Sequence, residues 1–173
     1  MIFGMSLATF TLLHVGISLV GIATGVIVLL ALIRGAHLPG WAGIFLVSTI
    51  LTSVTGYGFP IHGLTPGHVV GAVSLVALTL AVVALYRFEL VGSWRRTYVI
   101  TSVLSVYLNV FVGIVQTFRN VPVLHATAPT QSEPPFAIAQ LTALVLFLCL
   151  GYLALRGFTG AAFPQRKEVY VQK

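Results

Sequence analysis

Histidine is the residue type with the most chemistry to offer in this chain. Of its five histidines, His14, His62, His68 and His125 fall near the ends of long apolar runs and would share one side of a membrane. Imidazole is the commonest metal ligand and an axial ligand of haem iron. Two of the four occur in the stretch Tyr57 to Gly71, which reads Y-G-F-P-I-H-G-L-T-P-G-H-V-V-G. Their H-x5-H spacing across a loop is not a metal signature, unlike H-E-x-x-H, whose helical spacing puts both rings on one face. The chemistry therefore depends on whether the fold gathers histidines from separate parts of the chain.

Counting removes several alternatives. A carboxylate-bridged di-iron centre in a helical bundle takes about four Glu and two His. This chain has three acidic residues, Glu89, Glu133 and Glu168. None lies in an apolar run, so a membrane-embedded carboxylate relay or cation carrier has no parts. Cys149 is the single cysteine, which excludes an intrachain disulfide. Neither a paired thiolate nor a Ser/His/Asp set can be assembled for thiol exchange or triad hydrolysis.

Two cofactor readings survive. One is haem b between helices, with His14 and His68 as axial ligands, Arg119 near a propionate and Gln116 close by. The other is a transition metal ion (Cu, Zn or Fe) held by three or four of His14, His62, His68 and His125. Tyr57, Asn109 and Glu133 are further polar candidates. Either reading points to electron transfer with a quinone or other membrane-complex subunits, and an enzyme built this way would be a membrane oxidoreductase. The rival reading is a structural or accessory subunit, or a small-molecule carrier, with no metal.

The elements that must position these residues follow from composition. Hydrophobic residues make up 58% of 173 and charged residues 7%, against about a quarter charged in an ordinary soluble domain. Five apolar segments, about 3–33, 41–59, 66–86, 97–118 and 136–155, approach or exceed the ~20 residues that cross a bilayer as helix. This predicts an all-α integral membrane protein: one five-helix transmembrane domain over 1–160 and a tail at 161–173. The first run, at ~1.5 Å per residue, would reach ~46 Å and must protrude, tilt or break.

Basic residues mark cytoplasmic loops. Arg34, Arg87, Arg95, Arg96, Arg156, Arg166, Lys167 and Lys173 fall on one side of this topology, and Arg119 alone falls on the other. The N-terminus is expected outside and the C-terminus in the cytoplasm, in a bacterial inner membrane. The first run lacks a preceding Lys or Arg and reads as a retained helix, not a signal peptide. The net charge of +6 sits at span ends, which suits topology and anionic lipid and not nucleic acid.

Polar residues recur at helical spacing within the spans. Thr11, His14, Ser18, Gly21 and Gly25 share one face of the first. Ser48, Thr52 and Thr55 line the second, as packing hydroxyls. Ser102, Ser105, Asn109 and Gln116 share a face of the fourth. Gly21/Gly25 and Gly67/Gly71 are G-x-x-x-G pairs that would admit another helix, in this chain or a second copy. Thr65-Pro66 reads as a helix start. Arg119 to Pro135 reads as an ordered outer lid, and His37 as a loop residue without a role.

Overall fold

A computed structural model describes residues 4–59 and 66–159. His62, the Thr65 cap and the tail at 161–173 lie outside the described residues. Six helices follow in order: α1 (Leu7–Ile33), α2 (Pro39–Gly56), α3 (Pro66–Val82), α4 (Trp94–Asn120), α5 (Pro122–Thr127) and α6 (Pro134–Gly157). A wider turn, Val83–Arg87, prolongs α3. The described residues contain no strand, and every helix but α5 is long and apolar enough to cross a membrane.

Proline opens α2, α3, α5 and α6. At that position its missing N–H costs nothing and its fixed φ suits the helix. The long first run does not break. The Ser6 hydroxyl accepts from the Thr9 N–H at 3.1 Å to cap α1, and 27 residues continue unbroken. Its far end closes on Gly35 at φ 74, with Gly35 N–H donating to Leu32 O and Ala36 N–H to Ala31 O. That pair of bonds needs a left-handed residue, which glycine supplies.

Helices α1 and α4 form the centre. α1 packs against α2, α4 and α6, while α4 packs against α1, α3, α6 and α5, and α3 closes the ring between α2 and α4. The core joins Val28, Leu29 and Leu32 of α1 to Phe45 and Leu46 of α2, Leu78 of α3, and Tyr98 and Val106 of α4. The Gly21/Gly25 face is occupied within the chain. A Cβ on Gly25 would stand 2.5 Å from Val106 Cγ2 and 3.0 Å from the Phe45 ring, and one on Gly21 would stand 2.9 Å from Thr49 Oγ1. This surface is therefore packed against α2 and α4. A Cβ on Gly71 would stand 3.2 Å from the Tyr57 hydroxyl and 3.3 Å from its ring.

The turn into α4 runs through Glu89, Leu90 and Gly92 at φ 46, 59 and 58. A left-handed Leu costs about 1–2 kcal/mol, but Leu90 is 2% exposed, and burying its side chain returns about 1.5–3 kcal/mol. His37, expected to be an idle loop residue, is half-buried with its ring centroid 6.0 Å from Tyr98 and 6.5 Å from Phe158. Burial pushes its imidazole below the ordinary value of 6.5. It ties the α1–α2 turn to α4 and the end of α6.

The glycines separate by what they face. Gly25→Ala should lower the thermal stability of the detergent-solubilised protein by about 1–3 kcal/mol through overpacking. Gly16, whose Cβ would meet nothing within 4 Å, should gain up to about 1 kcal/mol on changing to Ala because its helix cost is removed. Equal responses at the two positions would contradict this packing.

Candidate functional site

His14 lies half-buried on α1 against the last turn of α2. Its Nδ1 is 2.8 Å from Thr55 Oγ1. A threonine hydroxyl has one proton, and that of Thr55 is directed to the Leu51 carbonyl at 2.7 Å. The Thr52 carbonyl lies 3.2 Å from the same oxygen; with the hydroxyl proton on either carbonyl, Thr55 accepts from His14 Nδ1–H and a neutral ring keeps its lone pair on Nε2. No described residue hydrogen-bonds that Nε2. Phe59 meets the imidazole edge to face at 5.2 Å and 90°, and Phe10 stacks edgewise on Phe59 at 5.0 Å. A proton-accepting partner on one ring nitrogen, with the other carrying a lone pair, is how ligating histidines are oriented.

The polar stripe continues one turn deeper. Ser18 Oγ donates to the His14 carbonyl at 2.8 Å, and Asn109 Nδ2 of α4 reaches the Ser18 carbonyl at 3.4 Å. Asn109 thus finds a partner inside the bundle, as a buried amide must. Most of the remaining hydroxyls bond their own helix: Thr24 to Val20, Ser48 to Ile44, Thr52 to Ser48, Thr101 to Thr97 and Ser105 to Thr101.

His68 is on the other side of α2. Its ring lies 5.2 Å from that of Tyr57, and the Tyr57 hydroxyl donates to the His68 carbonyl at 2.8 Å. Thr55 and Tyr57 are two residues apart, about 200° around a helix. His14 of α1 touches Thr55, and His68 of α3 touches Tyr57, each from a different neighbour of α2.

The other sequence candidates are used locally. Gln116 is exposed, and its carbonyl and side-chain oxygens accept from Asn120 Nδ2 at 2.8 and 3.1 Å. Arg119 ends α4 and is exposed. His125 is exposed on α5, which packs on α4. The loop around it is ordered by Gln131 Nε2 donating to the Val115 carbonyl at 2.8 Å and by the buried Ala128. Slight desolvation raises the Glu133 pKa, but bonds from the Thr130 hydroxyl and the Thr130 and Ser132 N–H groups outweigh it and hold the carboxyl below its ordinary value.

Among the described residues no three of His, Cys, Asp or Glu gather where they could hold one metal ion; His62 is outside them. An apolar groove of about 590 Å³ between α1 and α2, lined by Leu13, Gly16, Ile17, Ile44, Val47 and Leu51 among others, does not include His14. Sequence reasoning missed the partners of His14. Thr55 was read as packing only, although it falls on the stripe that faces α1, and Phe10 and Phe59 carried no signal.

Fold and composition together define a helical membrane protein of five apolar helices. Comparison with protein-family profiles, curated proteins and solved structures finds no match.

Thr55→Val keeps the shape and removes the acceptor. In ¹⁵N spectra of the imidazoles, His14 should show a protonated Nδ1 in the native protein and lose that fixed tautomer in the variant. The cost in stability should be about 1 kcal/mol, the scale of an interhelical hydrogen bond in membranes.

Proposed function

We propose that the protein is a membrane-embedded redox protein whose His14 Nε2 ligates a haem iron or another transition metal ion. The observation that carries this reading is the Thr55 hydroxyl, within reach of both His14 Nδ1 and the Leu51 carbonyl, a geometry that suits a neutral His14 with its lone pair on Nε2. A single axial histidine suits b-type haem better than an all-histidine cage, because the described histidines do not cluster. The group, when bound, supplies one-electron chemistry. The chain holds and orients the ring through Thr55 and shields it with Phe10 and Phe59. His68, on the far side of α2, is assigned no ligand role with His14.

The second reading, an accessory subunit without a metal, is favoured by the hydroxyls that bond their own helices and by glycines that serve internal packing. Absorption spectra and elemental analysis separate the two. The cofactor reading expects a Soret band or near-stoichiometric metal in protein purified from membranes, lost in His14→Ala and reduced in Thr55→Val. A colourless, metal-free native preparation leaves the accessory reading.

We also infer that the end carrying Arg34, Arg87, Arg95, Arg96 and Arg156 faces the cytoplasm of a bacterial inner membrane, and that His14 lies toward the outer face. Cysteine substituted at Thr127, in a Cys149→Ser background, should react with an impermeant maleimide applied to whole cells. Cysteine at Gly92 should react only after lysis. The reverse pattern inverts the orientation.

A further inference from the structure

A different arrangement of charge occurs at the opposite end of the bundle from His14. Between the start of α4 and the end of α6 is a cleft of about 400 Å³, with Ser93, Arg95 and Arg96 on one wall and Leu155, Phe158 and Thr159 on the other. Both arginines belong to the first turn of α4, which has no acidic residue. No described carboxylate lines the cleft; Glu89, in the preceding turn, is not among its walls. Arg95 Nε is buried and has no hydrogen-bond partner among the described residues. A buried guanidinium N–H without an acceptor is unfavourable, so Arg95 enters the cleft with no acceptor for its Nε and no carboxylate from the described residues to offset its charge.

The chemistry of the walls selects the anion. Two guanidinium forks match the oxygens of a phosphate, which can accept several N–H bonds at once. The Trp94 N–H is taken by the Val91 carbonyl at 3.2 Å, whereas the next two N–H groups of α4 have no acceptor within their own helix and receive no cap bond from the Ser93 side chain. The opposite wall sets Leu155 and Phe158 beside Thr159, which suits the glycerol and upper acyl carbons of a lipid. Trp94 stacks flat on Phe88, with centroids 3.9 Å apart and planes within 4°. Such rings settle at headgroup level. The cleft also opens where two apolar helices end, the depth at which phospholipid phosphates lie.

We propose that this cleft binds the phosphate group of an anionic phospholipid, with Arg95 and Arg96 as its ligands. The site is independent of His14 and of any cofactor. The test is native mass spectrometry of the full chain in detergent, titrated with phosphatidylglycerol or phosphatidylcholine. The native protein should retain one phosphatidylglycerol at several-fold higher occupancy than phosphatidylcholine. Arg95→Gln/Arg96→Gln should lose that preference, and Arg95→Lys, which keeps the charge without the fork, should lose part of it. Arg34→Gln, at the same end but outside the cleft, should keep it. Should the double variant fail to fold, the single variants Arg95→Gln and Arg96→Gln, each expected to weaken the preference, carry the test. Equal occupancy by the two lipids overturns the proposal, as does a preference that survives in the arginine variants or falls equally in Arg34→Gln. Displacement of the lipid by millimolar inorganic phosphate would overturn the lipid assignment in favour of a soluble phosphate compound.

Discussion

The close approach of α1 to α2 and α4 at Gly21 and Gly25 is the contact on which the rest of the bundle depends. In lipid there is little hydrophobic gain in bringing apolar helices together, so association rests on van der Waals fit and interhelical hydrogen bonds. Removing the Cβ at these two positions lets Thr49, Phe45 and Val106 reach the backbone of α1. The same separation between α1 and α2 lets a histidine on one helix reach a threonine hydroxyl on the other. Had α1 and α2 been spaced by larger side chains, His14 and Thr55 would not meet at 2.8 Å.

Much of the architecture was legible because hydrocarbon imposes simple rules. Each span must be helical to satisfy its own backbone, so an apolar run of sufficient length locates a helix. The limits were off by a few residues where polar side chains continue a helix past the hydrocarbon, as with Trp94 to Arg96 before the fourth span and Asn120 after it. Pro66 reads as a helix start from its Thr65 neighbour, whereas Pro39, Pro122 and Pro134, which read as turn and loop residues, open helices as well. The glycine pair at 21 and 25 announced a close contact, but the partner could not be read from one sequence, and it proved to be within the chain.

The site was legible only in part. The stripe His14, Ser18, Gly21, Gly25 was visible from its spacing, and Thr55 lay on a matching stripe of α2. Their pairing was hidden because spacing fixes the face of a helix and not the rotation of its neighbour. His14 and His68 lie on different helices, each against its own residue near the end of α2, and the spacing of the histidines does not reveal which. The loop with His125 was rightly expected to be ordered, but its short helix rests on α4, and Glu133 is occupied with its own turn. Nothing in the residue pattern announced that His37 would be half-buried against Tyr98 and Phe158.

The Thr55 hydroxyl makes an ordered relay of one-way bonds, from imidazole to hydroxyl to the carbonyl of Leu51. The first link can reverse only if the second is broken, since the hydroxyl has one proton to give and the carbonyl has none. The tautomer of His14 is therefore bound up with the winding of the last turn of α2. If that turn frays, the carbonyl is lost as an acceptor, Thr55 becomes free to donate toward the ring, and the lone pair can move from Nε2 to Nδ1. A change in backbone at the helix end would thereby switch which face of the imidazole can engage a ligand, with no change in charge.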